Sequence, residues 1–367
     1  MIRYHDWRET RFFPGLEGLR AVAALLVVLH HARTHRLWGF LEGWNGVTLF
    51  FVLSGFLITT IALREEDERG ALRWRAFIVR RCFRILPVYL VSFALYFAAM
   101  AVLGAGDSHQ SPSLAWYLSP FPEVPFFSHM HVVFTLAWSL GIEEKFYLLW
   151  PILAFVVLRR RARGRVAAAL VLALACQLPI AFSTGGRLVA PYSAILVGCL
   201  LAFTLHDPRT FRVVARLGSR SGFVVSVALL VAAEAATHLW NPTTVGFRVS
   251  SPYYYLPYSL AAALVVCSLA LQPRRLTASR ALRFVGRVSY PLYLTHPLAL
   301  AIVATVLAPG GTVVELTYLV VGLALSLALA YGLHRLVERP LIVVGKRRAE
   351  RLTPAGRPVL APAALTA

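Results

Sequence analysis

Two adjacent histidines, His30-His31, stand near the end of an apolar run that starts at Leu16, and Arg20 lies eleven residues before His31. A neutral imidazole accepts a proton near pH 7, as a general base must. A core histidine hydrogen-bonded to a neighbouring helix is the competing reading. A second candidate is the acidic pair Glu143-Glu144, within Trp138-Ser139-Leu140-Gly141-Ile142-Glu143-Glu144-Lys145-Phe146-Tyr147. One of these carboxylates could orient or charge-stabilise an imidazole, or hold a sugar hydroxyl. The preference of helix starts for acids explains one Glu more easily than two. Arg80, Arg81 and Arg84 carry forks that suit phosphate, although taken alone an ordinary membrane-face anchor is their better reading. Ser54, within Phe50-Phe51-Val52-Leu53-Ser54-Gly55-Phe56, lies in no Gly-x-Ser-x-Gly elbow, so close helix packing is its better reading. His296, in Tyr293-Leu294-Thr295-His296-Pro297, adds another imidazole, which a helix-packing hydrogen bond would also explain.

Composition names the elements that must hold these groups. The chain has 367 residues, 58% hydrophobic and 15% charged, with a mean hydropathy of +0.66. Soluble domains carry roughly 25% charged residues. So much apolar side chain excludes a water-soluble domain and intrinsic disorder alike. A bilayer core needs ~20 mostly apolar residues per helix. Ten runs meet that need: Leu16–Thr34, Val47–Leu63, Ile85–Leu103, Leu140–Leu158, Val166–Phe182, Leu188–Leu205, Gly222–Leu239, Tyr255–Leu271, Tyr290–Leu307 and Leu316–Leu336. They are continuous, without the alternation of barrel strands. The expected fold is therefore all-α, a polytopic transmembrane bundle of about ten helices.

The net charge of +20 is a topology signal before it is anything else. Of 37 Lys and Arg, 31 fall in segments that ten spans would place on one side. The opposite side holds only Arg33, Arg36, Arg187 and Arg248. The positive-inside rule puts the crowded side, and with it both termini, in the cytoplasm. No nucleic-acid-binding module is recognisable. Four scattered cysteines, Cys82, Cys176, Cys199 and Cys267, lack paired or metal-ligand spacing and read as inert thiols or packers, and no metal site is expected. The first run lacks a cleavage pattern and is expected to stay. Residues 1–345 form the expected membrane domain, and 346–367 a disordered cytoplasmic tail. Glu338-Arg339-Pro340 reads as a local ion pair and helix stop. The long outer stretch from about Gly104 to Ala137 is either a cap on a site or a loose cover.

Taken in order, these segments resemble the acyltransferase 3 family of integral-membrane O-acyltransferases. The resemblance spans Pro14 to Pro340. It rests on Leu16-Glu17-Gly18-Leu19-Arg20-Ala21, the following Val-Val-Leu-His-His-Ala, Phe50 to Phe56, Arg84-Ile85-Leu86-Pro87, Trp138-Ser139-Leu140 with Glu143-Glu144 and Phe146-Tyr147, and Ser289-Tyr290 with Tyr293-Leu294 and His296. The resemblance implies an acyl-CoA co-substrate, acetyl-CoA first, and transfer to a hydroxyl of a carbohydrate or glycosylated acceptor, in a bacterial-type cell membrane. It places the family's histidine on His31, its arginine motif on Arg80, Arg81 and Arg84, and its acidic motif on Glu143 and Glu144. Arg20, Ser54, Glu144, Tyr147 and His296 become candidates for substrate binding or support. The family often has Asp where Glu17 and Thr48 stand, and Gln where Lys145 stands; Thr48 loses the charge. Some members continue into an extracytoplasmic esterase-like domain, so the standalone form is the expectation here.

Orientation gives that resemblance a mechanism. The arginines lie inside, where coenzyme A is found, and His31 and Glu143 lie in the outer half. A donor held at Arg80, Arg81 and Arg84 could raise its thioester toward His31, which would deprotonate the acceptor hydroxyl while Glu143 positions the imidazole or the acceptor. An acyl-histidine intermediate is the variant. A cell-surface polysaccharide or envelope glycan is the first acceptor and a macrolide-like small molecule the second. A transporter of a polyol or glycolipid is the rival class, although inverted repeats and paired broken helices are not visible. A non-catalytic membrane scaffold is the third reading.

Overall fold

The computed structural model describes residues 2–32, 43–102, 114–128, 134–178, 189–240, 252–307 and 310–352. Among these residues every regular element is a helix. Each of the ten apolar runs carries one. After a short α1 (Tyr4–Glu9) come α2 (Pro14–His31), α3 (Trp44–Arg69) and α4 (Trp74–Val102). Two short helices follow, α5 (Leu114–Leu118) and α6 (Val124–Phe127), then α7 (Ala137–Pro151), which runs on as a π-helix over Ile152–Val157. Next are α8 (Ala162–Ala175), α9 (Ala190–His206), α10 (Pro208–Val214), α11 (Arg220–Trp240) and α12 (Pro252–Leu271). The chain closes with α13 (Arg280–Arg287), α14 (Ser289–Val306), α15 (Thr312–Leu333) and α16 (Arg339–Arg351). His109, His129 and His131 of the long outer stretch lie outside the described residues, as does the tail from 353. The described part of that stretch packs closely: Phe126 stacks on Trp138 at 5.5 Å, and Tyr117 is buried.

Among the described residues, four helices are long and apolar enough to cross a bilayer by length and composition: Trp44–Arg69, Trp74–Ala99, Ser289–Val306 and Thr312–Arg351. Ala190–His206 and Pro208–Gly218 pass together as a pair bent by 106°. The apolar window of Trp44–Arg69 is 78% buried within the protein, against 22% for Thr312–Arg351, so α3 is the central post and α15 a peripheral one. Without a hydrophobic drive between helices in lipid, close approach must come from small residues. Gly55 on α3 and Gly198 on α9 supply it: a Cβ on Gly55 would stand 1.8 Å from the Ile195 carbonyl oxygen, and one on Gly198 2.1 Å from that of Val52. The same device brings α13 onto the start of α2, where a Cβ on Gly286 would stand 2.1 Å from the Glu17 carbonyl oxygen.

The C-terminal end of α3 carries Glu65, Glu66, Asp67 and Glu68, at the helix end where the macrodipole disfavours acids. Arginines from other segments answer each one. Arg8 pairs with Asp67 and Arg11 with Glu68. Arg80 reaches Glu65 at 3.1 Å, and Arg165 takes Glu66 with both terminal nitrogens at 2.6 and 2.8 Å.

Two boundaries differ from the sequence reading. Helix α4 starts at Trp74, so Arg80, Arg81 and Arg84 stand on its side rather than ahead of it. Glu338-Arg339-Pro340 does not stop its helix. The turn over His334–Glu338 is π-helical, and α16 continues to Arg351, past residue 346. A proline lacks its N–H and crowds the carbonyl four residues back, here that of Leu336. The wider π turn accommodates that defect within a continuous helix. Glu338 bonds His334 Nδ1 at 2.8 Å rather than forming the expected local pair with Arg339.

Candidate active site

A cavity of ≈ 1180 Å³ of empty space, its solvent-facing mouth included, opens among α2, α3, α4, α7 and α14. Leu16, Phe50, Leu53, Ile58 and Ile61 give it apolar walls, and Arg20, Arg81, Arg84, Ser54, Glu143 and Tyr147 give it polar ones. Arg20 donates to Ser289 Oγ through Nη2 at 3.1 Å, with Nε 3.3 Å away. The Arg81 guanidinium carbon sits 5.6 Å from the Phe77 ring centroid and 5.5 Å from that of Tyr147. Such faces hold a cation without neutralising it, which leaves its donors for an anionic ligand. Glu17 also lines the cavity and accepts from Arg283 Nε at 3.0 Å.

Beside Arg81 stands a closed triangle of oxygens. Ser54 Oγ donates to Glu143 Oε1 at 2.7 Å. The Tyr147 hydroxyl is 3.0 Å from both Glu143 Oε2 and Ser54 Oγ. Glu143 and Tyr147 share one face of α7 because they are four residues apart. Each carboxylate oxygen therefore has a hydroxyl partner, which is what a carboxylate in an apolar setting requires. Gly55, not Ser54, makes the close helix contact, and Ser54 serves the polar network.

The histidines occupy the next level. His31 Nδ1 is 2.8 Å from the Val27 carbonyl oxygen, and His296 Nδ1 is 3.1 Å from that of Leu292. His296 Nε2 stands 3.3 Å from His31 Nδ1. A smaller space of ≈ 260 Å³ is lined by His30, His31, Trp44 and Trp138. Val47 and Tyr293 border both spaces. The Tyr293 hydroxyl shares a 2.7 Å hydrogen bond with Ser139 Oγ, so the wall between them is tied across α14 and α7.

The structure thus gathers Arg20, Arg81, Arg84, Ser54, Glu143 and Tyr147 around one cavity, and His31 with His296 above it. It does not bring Glu143 into hydrogen bonding with His31; the neighbour of His31 is His296. Arg80 is held by Glu65 and does not line the cavity. Glu144 lies apart, beside the Lys145–Glu123 pair at 2.6 Å, with a buried Oε1 that has no hydrogen-bond partner among the described residues. Sequence reasoning left out Ser139, Ser289 and Tyr293, although all three stand in the quoted motifs. It also passed over Glu234, an acid within the seventh run that contacts Asn45 of α3.

The fold and the cavity define an integral-membrane helical protein with a buried, arginine-bearing polar chamber. The chain belongs to the acyltransferase 3 family: the profile of its acyltransferase domain matches residues 13–335. It is 29% identical over 376 residues to YrhL of Bacillus subtilis, provisionally named a peptidoglycan O-acetyltransferase, covering 95% of this chain and 58% of that protein. It is 26% identical over 372 residues to the O-acetyltransferase OatA of Staphylococcus aureus, covering 92% of this chain and 58% of that protein. The chain therefore spans little more than half the length of these relatives. No solved structure matches it.

Proposed function

We propose that the protein is a multi-pass cell-membrane O-acyltransferase that moves an acetyl group from acetyl-CoA to a hydroxyl of an envelope glycan, with ten spans and both termini in the cytoplasm. The observation that carries this reading is the sequence of polar levels along one bundle. Arg81, Arg84 and Arg20 line the large cavity, Tyr293 closes it, and His31 lies in the space beyond. Eleven residues of helix separate Arg20 from His31, a rise of roughly 16 Å. That span suits a ligand whose anionic end and reacting end are far apart, as the phosphates and thioester of an acyl-CoA are. The name borne by YrhL supports a glycan as the acceptor, and those of YrhL and OatA an acetyl group as the cargo.

In this mechanism the guanidinium groups of Arg81 and Arg84 take the donor's phosphates. The pantetheine arm runs along the apolar wall and presents the thioester near Tyr293. His31 accepts the proton of the acceptor hydroxyl as its oxygen attacks the thioester carbonyl. The carbon–sulfur bond then breaks, and the imidazolium returns its proton to the departing thiolate of coenzyme A. Glu143, bound by Ser54 and Tyr147, supplies fixed negative charge on the wall shared with Arg81.

Mass spectrometry of envelope glycans from cells with and without the protein tests the assignment. Loss of an acetyl mass from the glycan is the expected result. Loss from a secreted glycosylated small molecule instead would move the acceptor. An unchanged acetyl inventory with altered flux of a polyol or glycolipid would replace the transferase with a transporter.

A further inference from the structure

The two imidazoles stand in a fixed order of donor and acceptor. A carbonyl oxygen can only accept. His296 Nδ1, 3.1 Å from the Leu292 oxygen, therefore carries its proton, and so does His31 Nδ1, 2.8 Å from the Val27 oxygen. A neutral His296 with a protonated Nδ1 has a bare Nε2. That lone pair lies 3.3 Å from His31 Nδ1, which already carries hydrogen. His31 Nδ1–H is thus shared between a backbone oxygen of its own helix and the lone pair of a ring on α14. His31 Nε2 is left with its lone pair, on a ring that lines the smaller space. His296 is fully buried and both of its nitrogens are engaged, so it has no lone pair to offer a substrate.

We propose that His296 is a positioning residue for His31: its Nε2 accepts from His31 Nδ1–H, holds the ring and leaves His31 Nε2 as the atom that takes the acceptor's proton. This rests on the general-base reading of His31 given above. The arrangement gives a neutral imidazole the task that a carboxylate performs in serine hydrolases. A neutral partner suits this depth, because a second charged group here would have to be desolvated. When His31 gains the acceptor's proton at Nε2, the Nδ1–H bond to His296 becomes charge-assisted and strengthens. No proton leaves His31 through His296, which stays neutral throughout.

The test compares His296→Leu, which removes the acceptor but fills space, with His296→Gln, whose Oε1 replaces it. Each is reconstituted in nanodiscs with acetyl-CoA and a soluble peptidoglycan fragment. The expected result is a kcat loss of at least ~10-fold for Leu, with donor KM unchanged, and recovery to within ~3-fold of wild type for Gln; the loss should not exceed the ~10²–10⁴-fold worth of the general base itself. A packing role predicts the reverse order, with Leu tolerated and Gln impaired, and would overturn the proposal. A second measurement needs no turnover. Histidine-ring nitrogen NMR of the wild-type protein, with the His31 signal identified by its loss in His31→Ala, is expected to show protonated Nδ1 and bare Nε2. A His31 ring protonated at Nε2 would overturn the proposal on its own. Full turnover by His31→Ala would instead sink the general-base reading, and leaves the NMR result to decide the contact between the rings.

Discussion

The arginine cavity and the histidine pocket lie within one bundle, yet they are built by opposite rules. The lower space is large; Arg81 rests on aromatic faces there and Arg20 on a serine hydroxyl. The upper one is about a quarter of its size and lined by aromatic and imidazole rings, with His31 Nδ1 near both the Val27 oxygen and His296. The difference teaches a division of labour. A large chamber lined by arginines suits the long, anionic partner of a reaction, and a tight pocket lined by imidazole suits one hydroxyl and one proton.

Breaking the upper level should cost most. His31→Ala is expected to lower turnover by ~10²–10⁴-fold, the worth of general-base help, with donor affinity and membrane insertion unchanged; steady-state kinetics and a fractionation blot check this. The triangle below it comes next. Glu143→Gln keeps the shape but removes the charge that Ser54 and Tyr147 hold, and hydrogen bonds to charged groups are worth about 1.5–3 kcal/mol. A kcat loss of roughly 10–100-fold follows. The lower level should respond in KM. Arg81→Gln is expected to raise the KM for acetyl-CoA about 10-fold, for one charge-assisted contact, with kcat nearly constant. Arg80→Gln sharpens the contrast, because Arg80 is committed to Glu65. A partly exposed ion pair contributes ~0–1 kcal/mol, so its donor KM should stay within about 2-fold. A larger effect at Arg80 than at Arg81 would reverse the assignment of the two arginines.

Much of this was legible in the sequence, and what was not has physical causes. Apolar run length fixes where helices form, so each of the ten runs carries a helix among its described residues. The helix of α4 begins eleven residues before its apolar run, because a basic, helix-permissive segment can continue a helix outside the lipid. Pro340 looked like an end, and the π turn at His334–Glu338 carries the helix through it. The chemistry-bearing residue types were visible at Arg20, His31, Arg81, Glu143 and His296. Their partners were not, because a hydrogen bond such as Ser54 to Glu143 joins residues 89 apart, and no one-dimensional period encodes a helix crossing. Arg80 shows the converse. Its motif matched as well as Arg81, yet the acidic end of α3 had a claim on it that only packing reveals.

The central claim is that donor and acceptor meet from opposite faces of the membrane. Sealed vesicles of both orientations, given labelled acetyl-CoA only from outside, test it most directly. Inside-out vesicles should consume the donor and deposit the label on lumenal glycan, while right-side-out vesicles stay silent. Turnover confined to right-side-out vesicles, or label left on the face where the donor was added, would contradict the account.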